Sequence, residues 1–274
     1  MDFRILGPLQ ALDDGRVVTP RGDKQRALLA LLLLHPNEPL STDRLIDMLW
    51  GGRPPTTPEK TVQVHVSRLR RTLAAGSGNG SNGLIVTRDH GYELRLEPND
   101  LDAHRFEVLV TEARQELAEG HPERAASTLE RALSLWRGHP LGDLAYAPFA
   151  EREVARLDDL RVAAQEAQIE AMLELGQHDR VVAELEALIR EHPYRERLHA
   201  QLMLALYRCD RQADALQAYH DARHMLVDQL GIEPGERLRE LQRDPRAGSG
   251  SGGSGGQRPR RAAAGPRREH RARG

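Results

Sequence analysis

The chain has a single cysteine, Cys209, so it cannot close an internal disulfide, and no Cys/His group has zinc-finger spacing. Long apolar runs are also missing. The longest, Ala27–Leu34, has eight residues, well short of a membrane span. The N-terminus begins directly with strand-like sequence and lacks the layout of a signal peptide. A cytoplasmic protein without a membrane partner is therefore expected. No Gly-x-x-x-x-Gly-Lys-Ser/Thr phosphate loop and no nucleophile elbow occurs, so enzymatic activity is not expected. Twelve histidines invite a metal search, but a di-iron bundle site needs two Glu-x-x-His motifs and two further glutamates. Only Glu196 with His199 has that form, and His220 and His224, four apart, lack a third ligand. Neither a metal nor a cofactor is expected.

Charge of one sign is not in excess overall, since the net value is −2, but that figure hides three unlike segments. Residues 1–98 carry +2, residues 99–245 carry −11 and residues 246–274 carry +7. Partner choice must be argued segment by segment, and the acidic middle is no nucleic-acid surface.

What is present centres on Thr56–Ala75, TTPEKTVQVHVSRLRRTLAA. Val62, Val66, Leu69 and Leu73 recur at helical spacing and form one apolar stripe. Lys60, Thr61, Gln63, Val64, Ser67, Arg68, Arg70 and Arg71 lie off it, with His65 at the margin. Cations and short hydrogen-bonders opposite a buried stripe suit a DNA major groove. They equally suit an ordinary solvated amphipathic helix, and the surroundings must decide.

Taken in order, residues 2–10 alternate Phe3, Ile5, Gly7 and Leu9 as a half-buried strand would. Asp13-Asp14-Gly15 signals a turn into a second strand at Arg16–Val18. A leucine-rich helix is expected from about Asp23 to Leu34. Ser41 or Thr42 can cap the next helix, with Leu45, Ile46, Leu49 and Trp50 inward. Gly51-Gly52-Arg53-Pro54-Pro55 forces a loop before the basic helix. Gly76–Gly83 reads as a flexible link, and residues 84–96 as two strands around a turn at Asp89–Gly91. Strands, three helices and a terminal hairpin are the layout of a winged helix.

VQVHVSRLRRTL followed by VTRDHGY resembles the DNA-binding domain of response regulators of the OmpR/PhoB type. No receiver domain precedes the first strand in this sequence, so aspartyl phosphorylation is not the expected switch. The resemblance places Lys60, Thr61, Val64, His65, Ser67, Arg68 and Arg70 towards DNA, although the family often has a cation where Ser67 stands. Arg68 could fork onto guanine O6 and N7, and Val64 could touch a thymine methyl. Arg70 and Arg71 suit phosphates, and Arg88 on the wing suits a minor groove. The loop from Gly51 to Thr57, with Arg53, Pro54, Pro55, Thr56 and Thr57, is the usual polymerase contact in that family. It could equally be a solvated connection. Tyr92 and Trp50 read as core aromatics, and His65 reads equally well as a packing residue.

From Leu101 to about Leu241 the sequence is helical and internally repetitive. Gly176–Val181 and Asp210–Ala215 are matching turns 34 residues apart, and Gly120–Ala125 is a third. That is the tetratricopeptide period, in which stacked helix pairs share a core. Trp136–Phe149, WRGHPLGDLAYAPF, interrupts it. WRG-PL-DL---PF, with the closing LVDQLGIEPGERLREL, resembles the bacterial transcriptional activation domain. A winged helix of the OmpR type joined to that domain resembles the Streptomyces antibiotic regulatory proteins.

The expected fold is mainly α, with a winged helix over residues 1–98 followed by all-α repeats over 99–243. Residues 244–274, rich in Gly and Arg without periodic apolar positions, read as a disordered basic tail or linker. The resemblance implies an activator that binds tandem sites near promoter −35 elements as a homodimer. It implies recruitment of RNA polymerase through its sigma or alpha subunit, at antibiotic or other secondary-metabolite genes. The protein would be nucleoid-associated when bound. Two other readings fit the same residues. One is a helical-repeat scaffold whose winged helix binds protein. The other is the front of a larger regulator with an ATPase and sensor region.

Overall fold

A computed structural model describes residues 1–74 and 83–244. The expected link at 76–83, apart from Gly83, and the expected tail beyond Asp244 lie outside the described residues.

The apolar alternation over 2–10 does not make one strand. Gly7 and Pro8 break it, leaving β1 (Asp2–Arg4), and the chain resumes as β2 (Gln10–Asp13). After the turn at Asp14 and Gly15 comes β3 (Arg16–Val17), and β1-β2-β3 is an antiparallel sheet. The leucine-rich α1 (Asp23–Leu34) buries Ala27 through Leu33 without interruption. β4 (Leu40–Ser41) leads into α2 (Thr42–Trp50), whose N-terminus is capped by the Ser41 hydroxyl accepting from Arg44 N at 3.2 Å. Leu45 and Leu49 are buried, while Ile46 and Trp50 are half-buried.

α3 (Pro58–Ala74) buries the four stripe residues Val62, Val66, Leu69 and Leu73. The wing hairpin β5 (Ile85–Arg88) and β6 (Gly91–Leu94) turns at Asp89-His90, and β4 adds to β6 to make a second sheet in the order β4-β6-β5. Gly91 is required there. A Cβ on it would lie 1.9 Å from the Leu40 carbonyl oxygen, so only glycine lets β6 close on β4.

The helical part runs α4 (Asp102–Ala118), α5 (Pro122–Leu133), α6 (Glu151–Glu174), α7 (His178–Glu191), α8 (Glu196–Arg208), α9 (Gln212–Leu230) and α10 (Glu236–Arg243). The three expected repeat turns share one hydrogen-bond pattern. His121 N donates to Glu116 O, Gln177 N to Met172 O and Arg211 N to Leu206 O, each about one turn back across a left-handed residue. Ala125, Val181 and Ala215 after these turns are all buried where paired helices cross. The fold is thus a winged helix followed by helical hairpins, mainly α as expected.

The interruption at Trp136–Phe149 forms the seam between the two halves. Its backbone runs beside the N-terminal segment: Arg137 N donates to Leu6 O at 2.7 Å and Leu141 N to Ile5 O at 2.9 Å. Gly7, at φ 146°, lets this happen, since a Cβ there would lie 2.9 Å from the Arg137 Cβ. Asp102, at the start of α4, accepts from Ile5 N at 2.8 Å and Leu6 N at 3.1 Å. Asp143 takes both guanidinium nitrogens of Arg26 from α1. Trp136 meets Phe106 edge-on at 5.4 Å, with Arg161 over its ring at 5.0 Å. One apolar core consequently runs without a break from Phe3 through α1, α3 and the wing to Ala167 in α6.

Candidate nucleic-acid interface

The polar side of α3 is displayed because its other side is fully committed. With Val62, Val66, Leu69 and Leu73 against α1 and α2, the 100° step of the helix turns Lys60, Gln63, Val64, Ser67, Arg68 and Arg71 outward. Val64 is 46% exposed. Lys60, Ser67, Arg68 and Arg71 make no hydrogen bond or ion pair among the described residues. Donors in this state can fork onto base edges or phosphates without first breaking an internal contact.

Other expected contacts sit differently. Thr61 is half-buried, and its hydroxyl donates to Thr57 O at 2.8 Å, which ties the first turn of α3 to the preceding loop. His65 packs against Trp50 with ring centroids 6.2 Å apart, and its Nδ1 is buried without a partner. Burial, then the Arg68 and Lys24 cations, hold its pKa below the usual 6.5, so the ring is neutral at pH 7. Lys24 was not singled out by the sequence. It donates to Leu49 O at 2.5 Å and stands 5.6 Å over the Trp50 ring, supporting this corner from beneath.

Arg70 is not a free cation. Its Nε and Nη2 both donate to Ile85 O, at 3.0 and 2.8 Å, and Nη2 reaches the Thr87 hydroxyl at 2.8 Å. The guanidinium also lies 5.8 Å from the centre of the Tyr92 ring. It is a strut between α3 and the wing, whereas Arg71, one residue on, points to solvent. Arg88 is also engaged. Its Nε donates to Glu93 Oε2 at 2.6 Å, and Arg95 takes the other carboxylate oxygen at 3.1 Å. The Arg88 bond is the leading cause that holds the Glu93 carboxyl below its usual range. In the free chain Arg88 therefore lies along the wing rather than standing off it.

Arg53, Pro54, Thr56 and Thr57 are exposed and Pro55 half-buried in the loop before α3. The Glu-x-x-His pair is fully used inside the helical part: Glu196 accepts from Gly235 N at 2.6 Å, and the His199 ring meets Pro193 O at 2.8 Å. Among the described residues, no three His, Cys, Asp or Glu side chains converge as a metal site. No helix among them is long and apolar enough to cross a membrane.

Comparison with known proteins agrees with this arrangement. The family profile for the C-terminal domain of transcriptional regulatory proteins matches residues 18–94, and that for the bacterial transcriptional activator domain matches residues 101–244. The regulatory protein DnrI of Streptomyces peucetius is 37% identical over 88% of this chain and 90% of its own length. The chain belongs to the Streptomyces antibiotic regulatory protein family. AfsR of Streptomyces coelicolor is 39% identical over 24% of its length. The transcriptional regulatory protein EmbR of Mycobacterium tuberculosis is 41% identical, and this chain spans 62% of it. The solved structure of EmbR, in complex with a low-affinity phosphopeptide, matches with a TM-score of 0.84 over 88% of this chain and 64% of that one. EmbR is a transcriptional regulatory protein by name and DnrI and AfsR are regulatory proteins by name, and this chain spans a little under two thirds of EmbR.

Proposed function

We propose that this regulator is a sequence-specific DNA-binding transcriptional activator that recruits RNA polymerase at antibiotic or other secondary-metabolite genes. The observation that carries the reading is the exposed set Lys60, Val64, Ser67, Arg68 and Arg71, whose polar side chains are unpartnered among the described residues, on one face of a helix that is otherwise locked into the core. α3 enters the major groove, Arg68 forks onto guanine and Val64 meets a thymine methyl. Lys60, Ser67 and Arg71 hold phosphates, Thr61 fixes the first turn of α3 at the DNA through its bond to Thr57 O, His65 borders the groove, and Arg88 exchanges Glu93 for the minor groove. Arg70 acts at one remove, by fixing the angle between α3 and the wing.

Residues 1–98 carry the readout, and residues 99–243 supply protein contacts. Because residues 1–98 have a net charge of only +2, one copy neutralises few phosphates. Two copies on direct repeats near a −35 element gain affinity through effective concentration. The loop Arg53–Thr57 faces the polymerase sigma or alpha subunit. Genome-wide footprinting with promoter output tests this reading. Bound sites with regularly spaced repeats upstream of induced genes are expected, and binding without sequence preference would refute it.

A further inference from the structure

One strongly basic concavity borders the readout face, and the side of it built by β3 and the segment before α1 has no role in the reading above. An open groove of about 830 Å³ runs between the second half of α3, strand β3 and the segment leading into α1. Arg68, Arg71 and Thr72 line it from α3, Arg16 from β3, and Arg21 and Gln25 from the segment entering α1 and its first turn. None of its lining residues is acidic. All four arginines are exposed, and none of their guanidinium groups makes a hydrogen bond or ion pair among the described residues.

This sets them apart from the arginines around them. Arg4 and Arg105 pair with Asp2, Arg26 with Asp143, and Arg88 and Arg95 with Glu93. Four like charges around one groove repel each other, and water only partly screens them. A polyanion seated in the groove would remove that repulsion and release its own counterions. The groove is open, edged by four arginines over an apolar floor of Val17, Val18 and Pro20, and continuous with the DNA-facing side of α3, which favours an extended sugar–phosphate chain over a small enclosed anion.

We propose that this groove seats the sugar–phosphate backbone flanking the major groove that α3 reads, with Arg16 and Arg21 each neutralising a phosphate beyond the reach of α3. The proposal rests on α3 being the recognition helix. It assigns the β1-β2-β3 sheet a role in DNA contact, through the end of β3 and the turn after it. Such contacts add affinity and register but no sequence preference.

The test uses the full chain and a labelled duplex that it selects from a random-sequence library. Salt titrations of the native protein, R16A/R21A and R16K/R21K are compared with R68A, together with phosphate-ethylation interference. R16A/R21A should lower the slope of log K against log[salt] by about 1.8, at about 0.9 per phosphate. The native advantage over it should then shrink about twelvefold between 50 and 200 mM salt. Selected and random duplexes should weaken alike, interference should vanish at two flanking phosphates, and the lysine pair should restore both. An unchanged slope with R68A still losing discrimination would overturn the groove and leave the reading of α3 intact. A loss seen only on two-site duplexes would assign the groove to a second copy and overturn the proposal. If the native chain selects no sequence, the reading of α3 fails and the groove proposal falls with it.

Discussion

The Asp102 carboxylate accepts the backbone N–H of Ile5 at 2.8 Å, joining the first residue of α4 to the segment after β1 across the seam between the two halves. The same carboxylate takes Leu6 N, and Arg137 stands 3.6 Å away. Burial raises the Asp102 pKa, and these donors oppose that rise. Asp102→Ala strands two buried amides, which should cost about 2–4 kcal/mol in urea unfolding. The single transition should also split, with the winged helix and the repeats melting apart. A single transition at native stability would show the seam to be held by apolar packing alone.

Arg70 bridges α3 to the wing through Ile85 O and the Thr87 hydroxyl. Arg70→Ala should cost about 1–2 kcal/mol, discounted for partial exposure, and should raise amide exchange in β5 selectively. Arg70→Lys should rescue it only in part, because a shorter ammonium keeps donors for Ile85 O and the Thr87 hydroxyl but loses the second guanidinium nitrogen on Ile85 O and the planar group against Tyr92. Unchanged exchange in β5 would remove the strut.

Much of this was legible from the residues, and the exceptions have physical reasons. α1 matches its expected bounds because seven consecutive buried residues leave little choice of length. The wing and the repeat turns were visible from local turn chemistry. β4 was not, because Leu40 pairs with Tyr92 and no local pattern encodes a partner that distant. The single strand expected over 2–10 fails at Gly7, whose φ of 146° serves the seam rather than a sheet. Arg70 and Arg71 look interchangeable in sequence. One helical step puts the first on the wing and the second in solvent. The interruption at Trp136–Phe149 stands out in the sequence as a motif, but its docking onto Ile5 and Leu6 appears only when both halves are in place.

His65 offers a pH test. Its folded pKa lies below the ordinary 6.5, chiefly through burial, then through Arg68 and Lys24. The unfolded chain therefore binds the proton first as pH falls. The stability contributed by the neutral ring is complete above about pH 6.5 and is lost as pH drops through the lowered folded value. NMR titration should place His65 below 6.5, and Trp50→Ala should move it back up by relieving the burial. A native value at or above 6.5 would contradict this packing.

The loop before α3 separates recruitment from binding. Arg53 and Thr56 are exposed, whereas the Thr57 carbonyl anchors the start of α3. R53A/T56A should bind the selected duplex as the native chain does, while transcription in vitro with purified polymerase falls. Native output from this variant would remove the loop from the polymerase interface.

The most direct test of the central claim compares native protein and Arg68→Ala on the selected duplex and on random duplex at one salt concentration. If Arg68 reads a base, the substitution should cost about 1–3 kcal/mol on the selected duplex and much less on random DNA. Equal losses on both would show that α3 holds phosphates only and does not read sequence through Arg68.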